Sequence, residues 1–207
     1  MTRLETEEQL EREIRNLIAL EPRFGSVHKQ HGTPSLRKAE ASLETLLMIV
    51  TDQFLSLKAG AAIWQRLAAE IGSVTPQSVL ACPQSKLLEL GLSRAKAKCF
   101  HACATAGLDF SAAPDELRNG LLGIWGIGPW TADIFMLSAM GHADAWPAGD
   151  LALQVAAQNL LQLDARPDTR KMEAISQDWR PHRASAARLL WAHYRGLNGM
   201  PQAPSQN

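Results

Sequence analysis

Midway along the chain stands Leu121-Leu122-Gly123-Ile124-Trp125-Gly126-Ile127-Gly128-Pro129-Trp130-Thr131-Ala132-Asp133-Ile134. A helical pattern ends near Leu122, and a tight turn follows through Gly123, Gly126 and Gly128. Pro129 then opens a second helix, because its fixed φ suits the first helical position and its missing N–H is not needed there. Gly126-Ile127-Gly128 lets the backbone curl and approach a ligand, since no Cβ intervenes. The N–H groups ahead of the second helix, with its dipole, make an anion site. Such a site holds phosphate without reading sequence and without net positive charge on the protein. A plain interhelical turn has the same Gly-x-Gly spacing, so spacing alone leaves both readings open.

The chain around this hairpin reads as helix throughout. Apolar residues recur every three or four positions in Leu10, Ile14, Leu17 and Ile18, and again in Leu43, Leu46, Leu47 and Val50. A pattern over 56–71 stops at Gly72, the usual residue just past a helix end. Further helices are predicted over 83–90, 93–106, 114–122, 129–140, 151–163 and 181–197. No run alternates with period two between turn signals, so no sheet is predicted. The expected fold is all-α, a two-lobed helical bundle with a helix-hairpin-helix and a cleft between lobes. One domain is expected over 1–207, with a hairpin lobe over 36–140 and a terminal lobe made of 1–35 and 141–207. Residues 199–207 read as a loose tail.

Hydrophobic residues at 46% and charged residues at 20% match an ordinary globular protein. The first fifteen residues mix Glu5, Glu7, Glu8, Glu11 and Glu13 with Arg3, Arg12 and Arg15, which no signal peptide does. The longest apolar run, 46–50, falls far short of a membrane span. The expectation is an intracellular, cytoplasmic protein with no membrane partner. Three cysteines, Cys82, Cys99 and Cys103, are too few and too irregular for a disulfide framework. Cys99 and Cys103 share a helix face with His101 between them; packing in a helix seam and a metal site are the two readings, and the first is preferred. No metal is expected.

Lys+Arg 21 balance Asp+Glu 21, which argues against coating nucleic acid by bulk charge. Charge is uneven, however. Arg94, Lys96 and Lys98 stand in an acid-free stretch, and Arg170, Lys171, Arg180, Arg183, Arg188 and Arg195 outnumber Glu173 and Asp178. Such runs face either phosphate or plain solvent.

Asp150 follows Trp146-Pro147-Ala148-Gly149 and precedes the periodic Leu151-Ala152-Leu153-Gln154-Val155. Locally it is a helix N-cap, a position that also holds a carboxylate firmly for other work. Hairpin, Trp130-Thr131-Ala132 helix, Pro-containing loop and Asp150 together resemble the helix-hairpin-helix and Gly/Pro-Asp signature of the DNA glycosylase superfamily. Two more segments resemble it: Ile49-Val50-Thr51-Asp52-Gln53-Phe54-Leu55-Ser56, and Trp179-Arg180-Pro181-His182-Arg183 followed by Ala186 and Trp191. Gly91-Leu92-Ser93 with Lys96 is a fourth, weaker match. The resemblance runs in order over about 15–197.

The resemblance implies a flipped base, with Asp150 as the catalytic carboxylate. It gives Trp130, Trp191 and Ile134 to the base pocket, where core packing is the alternative for either Trp. DNA contacts fall to Gln53, Phe54, Gly126, Ile127, Gly128, Thr131 and Arg183. Phe54 would fill the gap left in the duplex, core packing being its other reading. The resemblance is to the short, monofunctional alkylpurine branch, of 3-methyladenine DNA glycosylase II type. Trp130 stands where the strand-cutting branches carry a Schiff-base Lys, and no cysteine follows Cys103 to hold an iron–sulfur cluster. The implied partner is damaged double-stranded DNA, bound by a monomer. No cofactor is required, although a monovalent cation on the hairpin carbonyls is compatible. Departures are Asp52 in place of a small residue, Ile134 for an aromatic, His182 for an aromatic and Ala184 for Ser. The alternatives are a noncatalytic damage-binding protein on the same fold, or a glycosylase for neutral deaminated or oxidised bases.

Borohydride is therefore expected to trap no covalent protein–DNA adduct, and the product strand should stay intact until treated with alkali. A trapped adduct on a denaturing gel would move the chain to a strand-cutting branch.

Overall fold

A computed structural model describes residues 3–200; Met1, Thr2 and 201–207 lie outside it, and with them most of the expected tail. Among the described residues there are twelve α-helices and one short 3-10 turn. The all-helical expectation holds, since the β-type pairing found is one isolated bridge between Arg3 and His142. The chain forms two compact units. The terminal unit comprises 1–38 and 136–207, and the middle unit comprises 39–135.

The terminal unit contains α1 (Glu7–Leu20), α2 (Phe24–His31), α10 (Leu151–Leu161), α11 (Thr169–Ile175), the 3-10 turn Ser176–Trp179 and α12 (Arg183–Leu197). Thr6 starts α1 with a capping box to Gln9, satisfying two amides that lack helical partners. Leu10, Ile14 and Leu17 line the buried face of α1 at helical spacing. Trp179 is the aromatic centre of this core, edge-on to Phe24 at 5.1 Å and to Trp146 at 5.5 Å. Each such pair contributes about 0.5–1.5 kcal/mol beyond its buried area. On α12, Ala184, Ala186 and Ala187 are buried beside Leu189 and Leu190; small side chains there let α10, α2 and α1 pack closely on it.

The middle unit holds α3 (Leu43–Asp52), α4 (Leu57–Ile71), α5 (Pro76–Ala81), α6 (Gln84–Glu89), α7 (Arg94–Thr105), α8 (Pro114–Leu122) and the first part of α9 (Pro129–Ser138). Ser42, Ser56, Thr75 and Ser93 cap α3, α4, α5 and α7. Leu46, Leu47, Val50, Leu67, Val79, Leu87, Phe100 and Leu121 are fully buried. All three cysteines are free and buried. Cys99 and Cys103 lie 3.9 Å apart at sulfur, while His101 turns away to the Cys82 carbonyl at 2.8 Å. The seam reading of these cysteines is the one observed, and His101 does not join them. Contact with Cys99 and burial push the Cys103 thiol well above its ordinary range.

Helices α2, α5 and α11 and the 3-10 turn lie outside the sequence expectation. Helices 114–122 and 57–71 agree with it to within a residue.

Candidate functional site

The candidate residues fall into two groups, one in each unit. In the middle unit, α8 ends and the chain turns at Gly123. Amides of Ile124 and Ile127 bond back to Leu121 and Ile124 carbonyls, both at 3.1 Å. Gly126, at φ 89°, completes the turn, and a Cβ there would stand 2.9 Å from both Cβ and Sγ of Cys99. Glycine is thus required twice over, by dihedral and by space. Nothing lies within 4 Å of a Cβ built on Gly128. The N–H groups of Gly126 and Gly128 find no acceptor among the described residues, and they precede a helix whose dipole favours an anion.

Ile127 departs from its expected role. Its side chain is buried and its N–H is already spent on Ile124, so it shapes the turn. Thr131 departs likewise: it is buried at 2% exposure, and its Oγ1 accepts a hydrogen bond from Gln53 Nε2 at 2.7 Å. That bond ties the end of α3 to the start of α9, a bracing role for both side chains. Trp130 and Ile134 sit one turn apart on α9, each half-buried.

Gln53 terminates α3, and Phe54 follows at φ 57° with its side chain fully exposed, at 103%. Core packing, the other reading of Phe54, is excluded by that exposure. A non-glycine residue in the left-handed region stores about 1–3 kcal/mol of strain, so something must hold the turn. Lys96 holds it: its Nζ donates to the carbonyls of Thr51 and Gln53, both at 2.7 Å. A cation on the last carbonyls of a helix also matches the helix dipole. Burial lowers the Lys96 ammonium pKa, and Asp52 opposes that shift. Burial raises the Asp52 carboxyl in turn, against the pull of Lys96. Room for Asp52 comes from Gly60, where a Cβ would fall 1.9 Å from its Oδ1. The departure from a small residue at position 52 is thereby matched by a missing side chain on α4. Sequence placed Lys96 only in a weak motif; its role depends on segments 45 and 43 residues away.

In the terminal unit, Asp150 is the N-cap of α10, its Oδ1 accepting from Leu153 N at 3.1 Å. The same oxygen accepts from Trp191 Nε1 at 3.2 Å. The loop before it is itself fixed: Gln154 Nε2 donates to Ala148 O at 3.1 Å, and Asp150 N to Pro147 O at 2.9 Å. Trp191 is half-buried on α12, and its polar edge is directed at the carboxylate. The N-cap reading of Asp150 is observed. A cap needs only the backbone donor; the indole is an additional orienting contact from a distant helix.

Arg183 is paired within its own unit. Its guanidinium makes a paired contact with Asp144, Nε to Oδ1 at 2.7 Å and Nη2 to Oδ2 at 2.9 Å, and its side chain is 13% exposed. Arg180 joins the same carboxylate at 2.9 Å. A fork closed on a carboxylate spends two of its five N–H donors there, so Arg183 fastens the 141–150 loop to the start of α12. Asp144 carried no sequence signal for this. His182, another departure, pairs with Glu13 of α1. Arg188 is buried, donates to the Leu137 carbonyl at 3.2 Å, and has its pKa lowered to about 10 by burial and by Arg37. Much of the basic run in 170–195 is therefore spent inside its own unit.

A family model described as HhH-GPD superfamily base excision DNA repair protein matches residues 47–182. The alkylbase DNA glycosidase-like protein mag2 of Schizosaccharomyces pombe is 25% identical, over 86% of this chain and 90% of its own length. The structure of 3-methyladenine DNA glycosylase Mag1 of the same yeast, in complex with abasic DNA, gives a TM-score of 0.78 at 22% identity, covering 94% of this chain and 100% of that one. A DNA-3-methyladenine glycosidase from Bacillus halodurans gives 0.74 at 24% identity, covering 92% and 93%. At those identities the two structures speak for the fold.

Replacing Lys96 by Met should cost about 1–3 kcal/mol in urea unfolding, the range for leaving buried acceptors unsatisfied. Arg at 96 should recover part of the loss. An unchanged midpoint in Lys96→Met would show that the two carbonyls are satisfied without it.

Proposed function

The chain belongs to the HhH-GPD superfamily of base excision DNA repair proteins, and from that premise we propose that it is a monofunctional glycosylase releasing alkylated purines from DNA. The observation that carries the proposal is the carboxylate of Asp150, oriented at a helix start by Leu153 N–H and by Trp191 Nε1. The 25% identical relative, itself named for alkylbases and similar over most of its length, supports the same substrate class.

The reaction follows from the parts. A base inside the duplex is out of reach, so the nucleotide rotates out of the stack. Phe54 takes the vacated space, held outward in a turn that Lys96 secures. Gly126 and Gly128 amides grip a backbone phosphate. As the glycosidic bond lengthens, positive charge gathers on the sugar; Asp150 stabilises it and orients the attacking water. The bond to the purine breaks, water supplies the hydroxyl at the sugar, and an abasic site remains. Trp130 and Trp191 offer aromatic faces that attract a cationic base, each worth about 0.5–2 kcal/mol. The protein acts as a monomer on duplex DNA. The carbonyl of Ile124, accepting one turn amide, keeps a second lone pair, so a monovalent cation on the hairpin also fits. Among the described residues, no helix is long and apolar enough to cross a membrane.

Asp150→Asn is the informative variant because Asn caps a helix as well as Asp, so the fold is preserved while the charge is lost. Single-turnover base release should fall at least a hundredfold, the scale of removing one transition-state charge contact. Affinity for lesion DNA should stay within about tenfold, since the contact matters most in the transition state. Near-normal release would reassign the catalytic group; no release by the parent protein would leave a damage-binding protein.

On matched oligonucleotides, 3-methyladenine or 7-methylguanine should leave faster than hypoxanthine or 8-oxoguanine. A cationic purine departs without a general acid, whereas selecting neutral lesions depends on polar groups placed to read the base edge. Equal or faster release of a neutral base under single-turnover conditions would overturn the alkylpurine assignment.

A further inference from the structure

Trp125 stands out on the hairpin because a large apolar side chain is left 49% exposed on a turn built of glycines. Its ring is not bare. The Nζ of Lys98, on α7, lies 4.0 Å from the ring centroid. The two segments are locked together next door, where Gly126 lies directly against Cys99. Lys98 and Trp125 are the neighbours of those two residues, so the backbone contact fixes where the lysine and the indole meet.

Among the described residues Lys98 has no carboxylate within ion-pairing distance, and neither has Arg94, one turn earlier on the same exposed face of α7. Lys96, between them, is committed to the α3 carbonyls and contributes nothing outward. An ammonium seated on an indole keeps its N–H donors for another ligand, and the ring limits the freedom that a lysine otherwise loses on binding. Beside it, the N–H groups of Gly126 and Gly128 donate to no backbone carbonyl among the described residues.

We propose that Lys98, seated on Trp125, holds a second backbone phosphate of duplex DNA, adjacent to the phosphate gripped by the hairpin amides. The inference rests on the chain binding duplex DNA as proposed above, and adds a contact that the glycine turn alone does not provide. The occupant is a phosphodiester because the site combines one positive charge and no neighbouring acid with the two hairpin amides beside it. It needs no base and no lesion. Contacts of this kind position the duplex without reading sequence.

Salt dependence tests it. Affinity for an undamaged duplex is measured by fluorescence anisotropy over a salt series for the parent protein, Lys98→Gln, Trp125→Ala, Trp125→Phe and the double variant Lys98→Gln/Trp125→Ala. Each phosphate contact contributes about 0.9 to the slope of log K against log salt, so Lys98→Gln should lower that slope by about one. Trp125→Ala should weaken binding about two- to fivefold, the worth of an exposed cation–π contact, and Trp125→Phe should bind nearly as the parent does. In the Lys98→Gln background, Trp125→Ala should then cost nothing further. An unchanged slope in Lys98→Gln, or losses that simply add in the double variant, overturns the proposal. Both side chains are exposed, and unfolding midpoints check that the variants fold. Absence of base release by the parent, with the slope change present, would overturn the glycosylase reading and leave this one standing. Failure of the parent to bind duplex DNA would overturn both.

Discussion

The hairpin turn meets α7 at Gly126, where the backbone approaches Cys99 so closely that any side chain would collide with it, and where φ is 89°. Much of the middle unit's functional geometry depends on that contact. The helix that receives the turn also sends Lys96 to the end of α3 and carries Lys98 beneath Trp125. One helix therefore sets the position of the glycine turn, of the strained Phe54 turn and of the exposed indole. Bracing from the other side comes through Gln53 and Thr131, which join α3 to α9. Packed elements transmit a displacement rather than absorb it, so a shift of α7 reaches all three features together.

The terminal unit solves a different problem, that of holding one carboxylate in a fixed direction. Asp150 is oriented by its own helix and by an indole from α12. The loop leading to it is fastened at Asp144 by Arg183 and Arg180. A carboxylate proposed to act on a bound sugar must be placed to a fraction of an ångström, and that precision comes from the residues around it. Arg183 and Arg180 belong to that support.

Local signals carried most of the fold. Pro129 after Gly128, Pro114 before Asp115 and Gly72 after Ile71 mark helix ends by backbone chemistry that needs no tertiary partner. Helix α5 was missed although Thr75, Pro76 and Ser78 form a capping box with Pro at the start; six residues show too little periodicity. Helix α2 has no side-chain cap at all. Of the candidate site, the Asp150 cap and the glycine turn were legible because both are features of the backbone. Pairings across long separations were not: Trp191 to Asp150, Lys96 to Thr51 and Arg183 to Asp144 exist only after folding. Charge patterning failed for the same reason. The run over 170–195 has Arg180, Arg183 and Arg188 tied to a carboxylate or to backbone, while the short run on α7 leaves Arg94 and Lys98 facing outward.

The burial of every cysteine has a consequence for survival in the conditions that create alkylated bases. Electrophilic methyl donors react with thiolates readily, and thiol reactivity follows exposure and ionisation. Cys82, Cys99 and Cys103 are 7%, 2% and 3% exposed; burial raises the Cys82 thiol, whereas the contact with Cys103 lowers that of Cys99, so lack of access is what protects it. A methyl group added at Cys99 would have to fit against Gly126, where there is no room even for a Cβ. Packing thus shields the most nucleophilic side chains of the chain from the reagents whose damage it is proposed to remove, and it does so without any dedicated protective group.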